Sequence, residues 1–234
     1  MTKDQLRADP SYPKLVEAYT TIFSYLRSIT DDKIEVSNFE GSEDRCARAI
    51  LETCFSTDYI RQQLDDIVGK VFEVEQSDTI QNVKATYTNG IICQGPIRVN
   101  SCCPHHLYPV MYEVYVAYVP SNGIVLGLSK LSRICKLLGR RPVLQEQLAS
   151  DIANVLCQPM RDQTTRLGYQ VEVPIESKFP SVKSEGSAVF VKGLHTCMAC
   201  RGVESDAKTS VCELRGVFNQ PEMEQKFYSM IKNL

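Results

Sequence analysis

The chain has 234 residues, 43% of them hydrophobic and 23% charged, a composition that can bury a core and excludes a mainly disordered, fibrous or collagen-like protein. A formal net charge of -2 gives no bulk attraction to DNA, RNA or an anionic bilayer, so no direct nucleic-acid partner is expected. No apolar run approaches the ~20 residues that span a bilayer, and the opening MTKDQLRADPSYPK is polar, so the chain reads as soluble and cytoplasmic, with reduced thiols rather than a disulfide framework.

Leu15, Tyr19, Ile22, Phe23 and Leu26 recur at helical spacing and predict an amphipathic helix over residues 12–29, introduced by Pro10 and Pro13. A polar stretch at 30–41 follows. Ser42 then precedes a second helix with Cys46, Ala49, Ile50 and Cys54 on one face. A third, over 57–68, is carried by Ile60, Leu64, Ile67 and Val68. Beyond Gly69 the pattern turns β-prone at 71–80, 83–87 and 91–99, with Asn89-Gly90 as a hairpin signal. Residues 108–119 carry Tyr and Val on both alternating faces, which predicts a strand covered on both sides by core or by a partner subunit, ending at a Ser121-Asn122-Gly123 turn.

Ser129 is placed to cap a short helix to Leu138, and Pro142 interrupts. Leu144, Leu148, Ile152, Val155 and Leu156 then form the stripe of a longer helix. Strands are predicted at 169–175, 188–192 and 209–217, with a mobile polar loop at 176–186. A C-terminal helix opens at Asn219 and Pro221 and bears Met223, Phe227, Met230 and Ile231. The fold class is α+β. Lys136, Arg140 and Arg141 read as surface charge.

The chemistry concentrates in two short clusters, Cys102-Cys103-Pro104-His105-His106 and His195-Thr196-Cys197-Met198-Ala199-Cys200-Arg201, which between them hold all three histidines of the chain. A catalytic zinc site needs three protein ligands of these types, and Cys103 and His106 with one cysteine of the second cluster suffice. The same spacing also allows a closed four-ligand structural site, or cysteines that are simply small buried hydrophobes. Ser129 at a helix N-terminus, with Lys130 and Arg133 on one face, fits a polyphosphate, although on residue pattern alone the two cations read more readily as a solvated helix face.

Cys-Pro-His-His, Gly127-Leu128-Ser129-Lys130, Arg133, Gln145-Glu146 and His195-x-Cys197-Met198-x-x-Arg201-Gly202 follow one another in an order that resembles the GTP cyclohydrolase I family from about Ser42 to the C-terminus. The resemblance implies the tunnel fold, an antiparallel sheet with helices on one face, assembled into a toroidal homo-oligomer, typically a decamer, with active sites between subunits. It implies a catalytic domain over 42–234 preceded by an N-terminal helix and linker over 1–41. It assigns a zinc ion to Cys103, His106 and Cys197, proton transfer to His105 and His195, the triphosphate to Ser129, Lys130, Arg133 and Arg201, and guanine to Gln145 and Glu146. The implied reaction opens the imidazole ring of GTP, releases formate and yields 7,8-dihydroneopterin triphosphate, a pterin precursor for a folate or deazaguanine pathway.

Pro104 stands where the family has glutamate. This removes a group that would support the site and motivates an alternative, a diverged enzyme acting on another purine nucleotide. Cys102 and Cys200 are extra thiols able to compete for a metal. A non-catalytic, zinc-stabilised assembly or regulatory protein is the remaining alternative. The joint retention of the histidines, cations and Glu146 opposes it, since structure alone needs only the ligands.

Overall fold

The computed structural model describes residues 2–30, 36–73, 90–121, 124–164, 170–174 and 176–234. The predicted strand at 83–87, most of that at 71–80, Asn89, the Asn122-Gly123 turn and the ends of the strand at 169–175 lie outside the described residues. Compactness divides the chain into two units, Met1–Phe55 and Ser56–Leu234.

The first unit contains α1 (Lys3–Arg7), α2 (Tyr12–Ser28) and α3 (Ser42–Thr53). Helix α1 was not expected; Thr2 and Gln5 form a reciprocal capping box that satisfies its exposed N–H groups. The three helices are tied together at Asp44 on α3. Its carboxylate accepts from Arg7 Nε at 3.0 Å, from Arg48 Nη2 at 2.8 Å and from the Tyr12 hydroxyl. These bonds, the one from Arg7 foremost, hold the Asp44 carboxyl well below the usual range.

The second unit opens with α4 (Thr57–Val68), where the Ser56 side chain accepts from the Tyr59 N–H at 3.2 Å as an N-cap. A short ribbon pairs β1 (Val71–Glu73) with β4 (Ile124–Leu126), and another pairs β5 (Met160–Thr164) with β6 (Gln170–Pro174). Four antiparallel strands form the main sheet: β2 (Ile92–Cys102), β3 (Pro109–Pro120), β7 (Ser184–His195) and β8 (Thr209–Gly216), in the order β2-β3-β7-β8. The remaining helices are α5 (Leu128–Leu138), α6 (Gln145–Leu156), the single turn α7 (Thr196–Ala199) and α8 (Pro221–Lys232), which follows a 3-10 turn at Val217–Asn219.

Strand β3 is covered on one face along nearly its whole length but on the other only from Ala117 onward; Met111 on that second face is 48% exposed, so the expected two-sided burial holds for the C-terminal part alone. Val110, Tyr112, Val114, Val116 and Tyr118 point one way, level with Val191, Val189 and Ser187 of β7. The Ser187 hydroxyl donates to the Ala153 carbonyl at 2.8 Å, which identifies this as the face covered by α6. On the other face Ala117, Val119 and Ala188 pack against Phe218 and Phe227. Each fully buried valine or phenylalanine among these contributes on the order of 1.5–3 kcal/mol.

Several expectations are corrected. Strand β7 begins at Ser184 and ends at His195, so it absorbs part of the loop expected at 176–186; pairing along the whole of β3 supplies what its polar sequence lacks. Strand β8 stops at Gly216 and the chain turns into the 3-10 segment. Helix α5 starts at Leu128 with Gly127 as N-cap and no side-chain capping bond, so Ser129 lies inside the first turn and does not cap it. Arg141 is not surface charge. It is 7% exposed, pairs with Asp151 of α6, donates from Nε to the Leu138 carbonyl at 3.1 Å and lies over the Phe179 ring at 5.2 Å. The corner between α5 and α6 is thereby fastened around a buried ion pair.

Candidate active site

The site lies at the end of the sheet where β2 leaves and β3 begins. After Cys102 the chain reverses in a tight turn: the Cys103 N–H donates to Tyr108 O and the Leu107 N–H to Cys103 O, both at 2.9 Å, with Leu107 at φ 56. On the neighbouring strand His195 stands opposite Val110. The Thr196 hydroxyl donates to the Pro109 carbonyl at 2.6 Å, which pins the start of α7 to the start of β3 and brings Cys197 toward Cys103.

The donor atoms of Cys103, His106 and Cys197 all lie within 4.8 Å of one another, with both cysteines buried and His106 exposed. Two thiols and an imidazole suit a borderline-soft divalent ion, and three ligands leave a tetrahedral position open, which is the pattern of catalytic zinc. Burial, and then the hydrogen bond with Cys103, push the Cys197 thiol up, so its thiolate form is favoured only with a cation beside it. His105 is adjacent, its Nδ1 at 4.0 Å from Cys103 Sγ against 3.7 Å for His106. Cys102 and Cys200 are outside this group; the Cys102 thiol lies 3.8 Å from Cys103 O and the Cys200 thiol donates to Thr196 O at 2.8 Å.

His195 is oriented by Gln145, the first residue of α6. The Gln145 amide is 3% exposed and fully used: Nε2 donates to Val191 O at 3.0 Å and Thr209 O at 3.1 Å, while Oε1 accepts from Thr209 Oγ1 at 2.7 Å and from His195 Nε2 at 3.1 Å. The two carbonyls fix which end of the amide is oxygen. The neutral His195 ring therefore carries its proton on Nε2 and keeps a lone pair on Nδ1. Burial pushes the His195 imidazole down and the nearby Glu146 carboxylate opposes this, so the neutral form is favoured. Glu146 itself is exposed in the first turn of α6.

The cations are arranged more loosely. Lys130 and Arg133 lie in the first half of α5, half-buried and exposed respectively, and neither forms an ion pair with another described residue. Arg201 is exposed directly after α7, close enough to favour the Cys197 thiolate. Among the described residues no hydrogen bond or ion pair joins Ser129, Lys130 or Arg133 to the cysteine–histidine group.

Two parts of this constellation escape sequence reasoning. Tyr112, read only as a strand residue, sets its ring edge-on to His195 with centroids 5.9 Å apart. Gly193 faces it, and a Cβ there would come within 2.7 Å of both the Tyr112 ring and Gln145 Oε1. A glycine inside a β-prone run was the available signal of close approach.

Residues 18–176 match the family model for GTP cyclohydrolase I. The chain belongs to the GTP cyclohydrolase I family. Members with the name GTP cyclohydrolase 1 include one from Thermoanaerobacter pseudethanolicus, 32% identical over 181 residues that make up 77% of this chain and 82% of that relative. Another, from Desulforamulus reducens, is 30% identical over 213 residues, 90% of this chain and 91% of the relative. The Drosophila melanogaster member is 32% identical over 193 residues, 81% of this chain but 48% of its own longer sequence. No described helix is long and apolar enough to cross a membrane.

Proposed function

We propose that the protein is a zinc-dependent hydrolase that opens the imidazole ring of GTP, releases C8 as formate and forms 7,8-dihydroneopterin triphosphate. It works in the cytoplasm as a toroidal homo-oligomer of tunnel-fold subunits, most simply a decamer. The observation that carries this reading is the convergence of Cys103, His106 and Cys197 beside the His195–Gln145 pair in a member of this family. When bound, zinc supplies a Lewis acid that renders water nucleophilic at neutral pH.

The chain's own residues do the rest. Glu146 accepts from N1–H and the 2-amino group of guanine, a pairing that adenine cannot satisfy. Ser129, Lys130, Arg133 and Arg201 hold the triphosphate, with the α5 N-terminus adding its N–H groups and dipole. His195, held through Nε2 by Gln145, presents Nδ1 for proton transfer, and His105 is the second proton carrier. Gln145 serves the guanine site through His195. Pro104, exposed in the β2–β3 turn, favours a second reading in which the substrate is another purine nucleotide.

The test is incubation of the zinc-loaded protein with GTP, with formate and, after oxidation, pterin fluorescence as readouts. Formation of both supports the proposal, and zinc-loaded protein that releases no formate refutes it. His195→Ala is expected to retain zinc while turnover falls by about 10²-fold or more.

A further inference from the structure

Among the described residues the hydroxyl of Tyr112 is the only buried side-chain polar atom without a hydrogen-bond partner. The residue is 2% exposed. Burying an O–H with no acceptor costs about 1–3 kcal/mol, and phenylalanine would fill the same space without that cost. The ring is nonetheless closely accommodated: His195 meets it edge-on, and the bare backbone of Gly193 leaves room for Cε1 and Cδ1. The fold thus holds a polar group in a position where the free protein offers it nothing.

What surrounds the hydroxyl indicates what it awaits. Burial is the chief reason its ionisation is pushed far up, but the charges of Cys103, Glu146 and Cys197 each act on it as well, so the phenol stands within electrostatic range of both the metal ligands and the carboxylate assigned to the base. In the proposed orientation, guanine has C8 toward the metal group and N1–H and the 2-amino group toward Glu146, the same groups whose charges act on this phenol. Of the acceptors on that edge, N7 adjoins the reacting carbon, where proton transfer occurs, while O6 adjoins the N1–H that Glu146 reads. A neutral phenol next to a carboxylate offers donor beside acceptor, which complements the acceptor-beside-donor pattern of O6 and N1–H.

We propose that the Tyr112 hydroxyl donates a hydrogen bond to O6 of the bound purine, making Tyr112 a base-recognition residue alongside Glu146. The inference rests on the GTP reading above. It adds a contact set by the β3 strand, and its structural support is the unpartnered buried hydroxyl on a ring for which Gly193 leaves room.

The experiment compares wild type with Tyr112→Phe, both zinc-loaded, using GTP and 6-thio-GTP, whose sulfur is a poor acceptor while N1–H and the 2-amino group are retained. Wild type should prefer GTP by about tenfold in kcat/KM, equivalent to ~1.4 kcal/mol, and Tyr112→Phe should lose most of that preference through KM with its zinc content unchanged. The ligand-free variant should unfold at the same or a higher temperature, because an unpaired buried hydroxyl has been removed. An unchanged preference for GTP overturns the proposal. So does loss of zinc, which would tie the phenol to the metal ligands, and so does a lower unfolding temperature, which would mean the hydroxyl already has a partner. Should the variant fail to fold, a wild-type protein that does not discriminate between the two nucleotides overturns the proposal by itself. If wild type neither binds nor converts GTP, the parent reading fails and this one with it, a result seen without any variant.

Discussion

Gln145→Ala is the sharpest probe of how the fold presents His195. Truncation removes four hydrogen bonds from a side chain that is 3% exposed, to Val191 O, Thr209 O, Thr209 Oγ1 and His195 Nε2. At a net worth of about 0.5–1.5 kcal/mol each, the loss is roughly 2–6 kcal/mol, a large share of a typical total of roughly 5–15 kcal/mol. For a domain of this size 1 kcal/mol moves the midpoint by roughly 2–4 °C, so thermal unfolding should shift down by at least about 4 °C. Turnover should fall by about 10²-fold or more as His195 loses its anchor, with zinc content preserved. Gln145→Glu keeps the acceptor for His195 but replaces both donors with a carboxylate facing two carbonyls, so it should also unfold early. A Gln145→Ala protein with wild-type melting temperature refutes the buried network. One whose only defect is a raised KM for GTP refutes the positioning role and returns Gln145 to direct substrate contact.

The Arg141–Asp151 pair, with side chains 8% and 12% exposed, predicts that Arg141→Ala destabilises by about 3–5 kcal/mol because a carboxylate is left buried, while Arg141→Met with Asp151→Leu recovers most of it; equal denaturant midpoints for wild type and Arg141→Ala would contradict this. Asp44 titrates below its ordinary value in the folded state, so its contribution is complete above about pH 4 and is lost as the pH falls further. Asp44→Asn should therefore lower the stability of the helices it joins at neutral pH and flatten their acid dependence, measured by amide exchange of α1 to α3, and an unchanged acid profile would count against the network. Metal analysis should find zinc lost in Cys197→Ala but kept in Cys102→Ala and Cys200→Ala; loss in Cys200→Ala instead would reassign the third ligand.

Local signals were legible wherever they coincided with tertiary demand. The expected helix over 57–68 is found at Thr57–Val68, because Ser56 caps it and Ile60 and Leu64 are both periodic and buried. The two-faced strand was legible only at its end, where Val114, Val116, Ala117 and Val119 admit no solvent face; Met111 and Glu113 at its start do not share that burial. Strand β7 was seen only at its apolar centre, since Ser184 and Ser187 owe their strand conformation to β3 and to carbonyls of α6. Arg141 was misread for a related reason: an arginine in a basic run looks solvated until its carboxylate partner, on the next helix, is known. In the site, residue types and spacing suggested the cysteine–histidine group. The saturation of Gln145 and the orphaned Tyr112 hydroxyl depend on which atoms meet across three strands and a helix, which no pattern along the chain encodes.

The turn between β2 and β3 has a kinetic meaning. Cys103 and His106 both sit in this hairpin connection, so two of the three donors come together as soon as the hairpin closes, an event of roughly microseconds. The third donor follows β7, whose pairing with β3 closes a long loop and bears the entropy of that closure. On the proposed zinc reading, the hairpin alone supplies only part of the chelate, and the ligand set is complete only when the central strand pair is zipped to its last residue, His195. The rate at which the protein gains the ability to hold its ion against a competing chelator would then time the completion of the sheet.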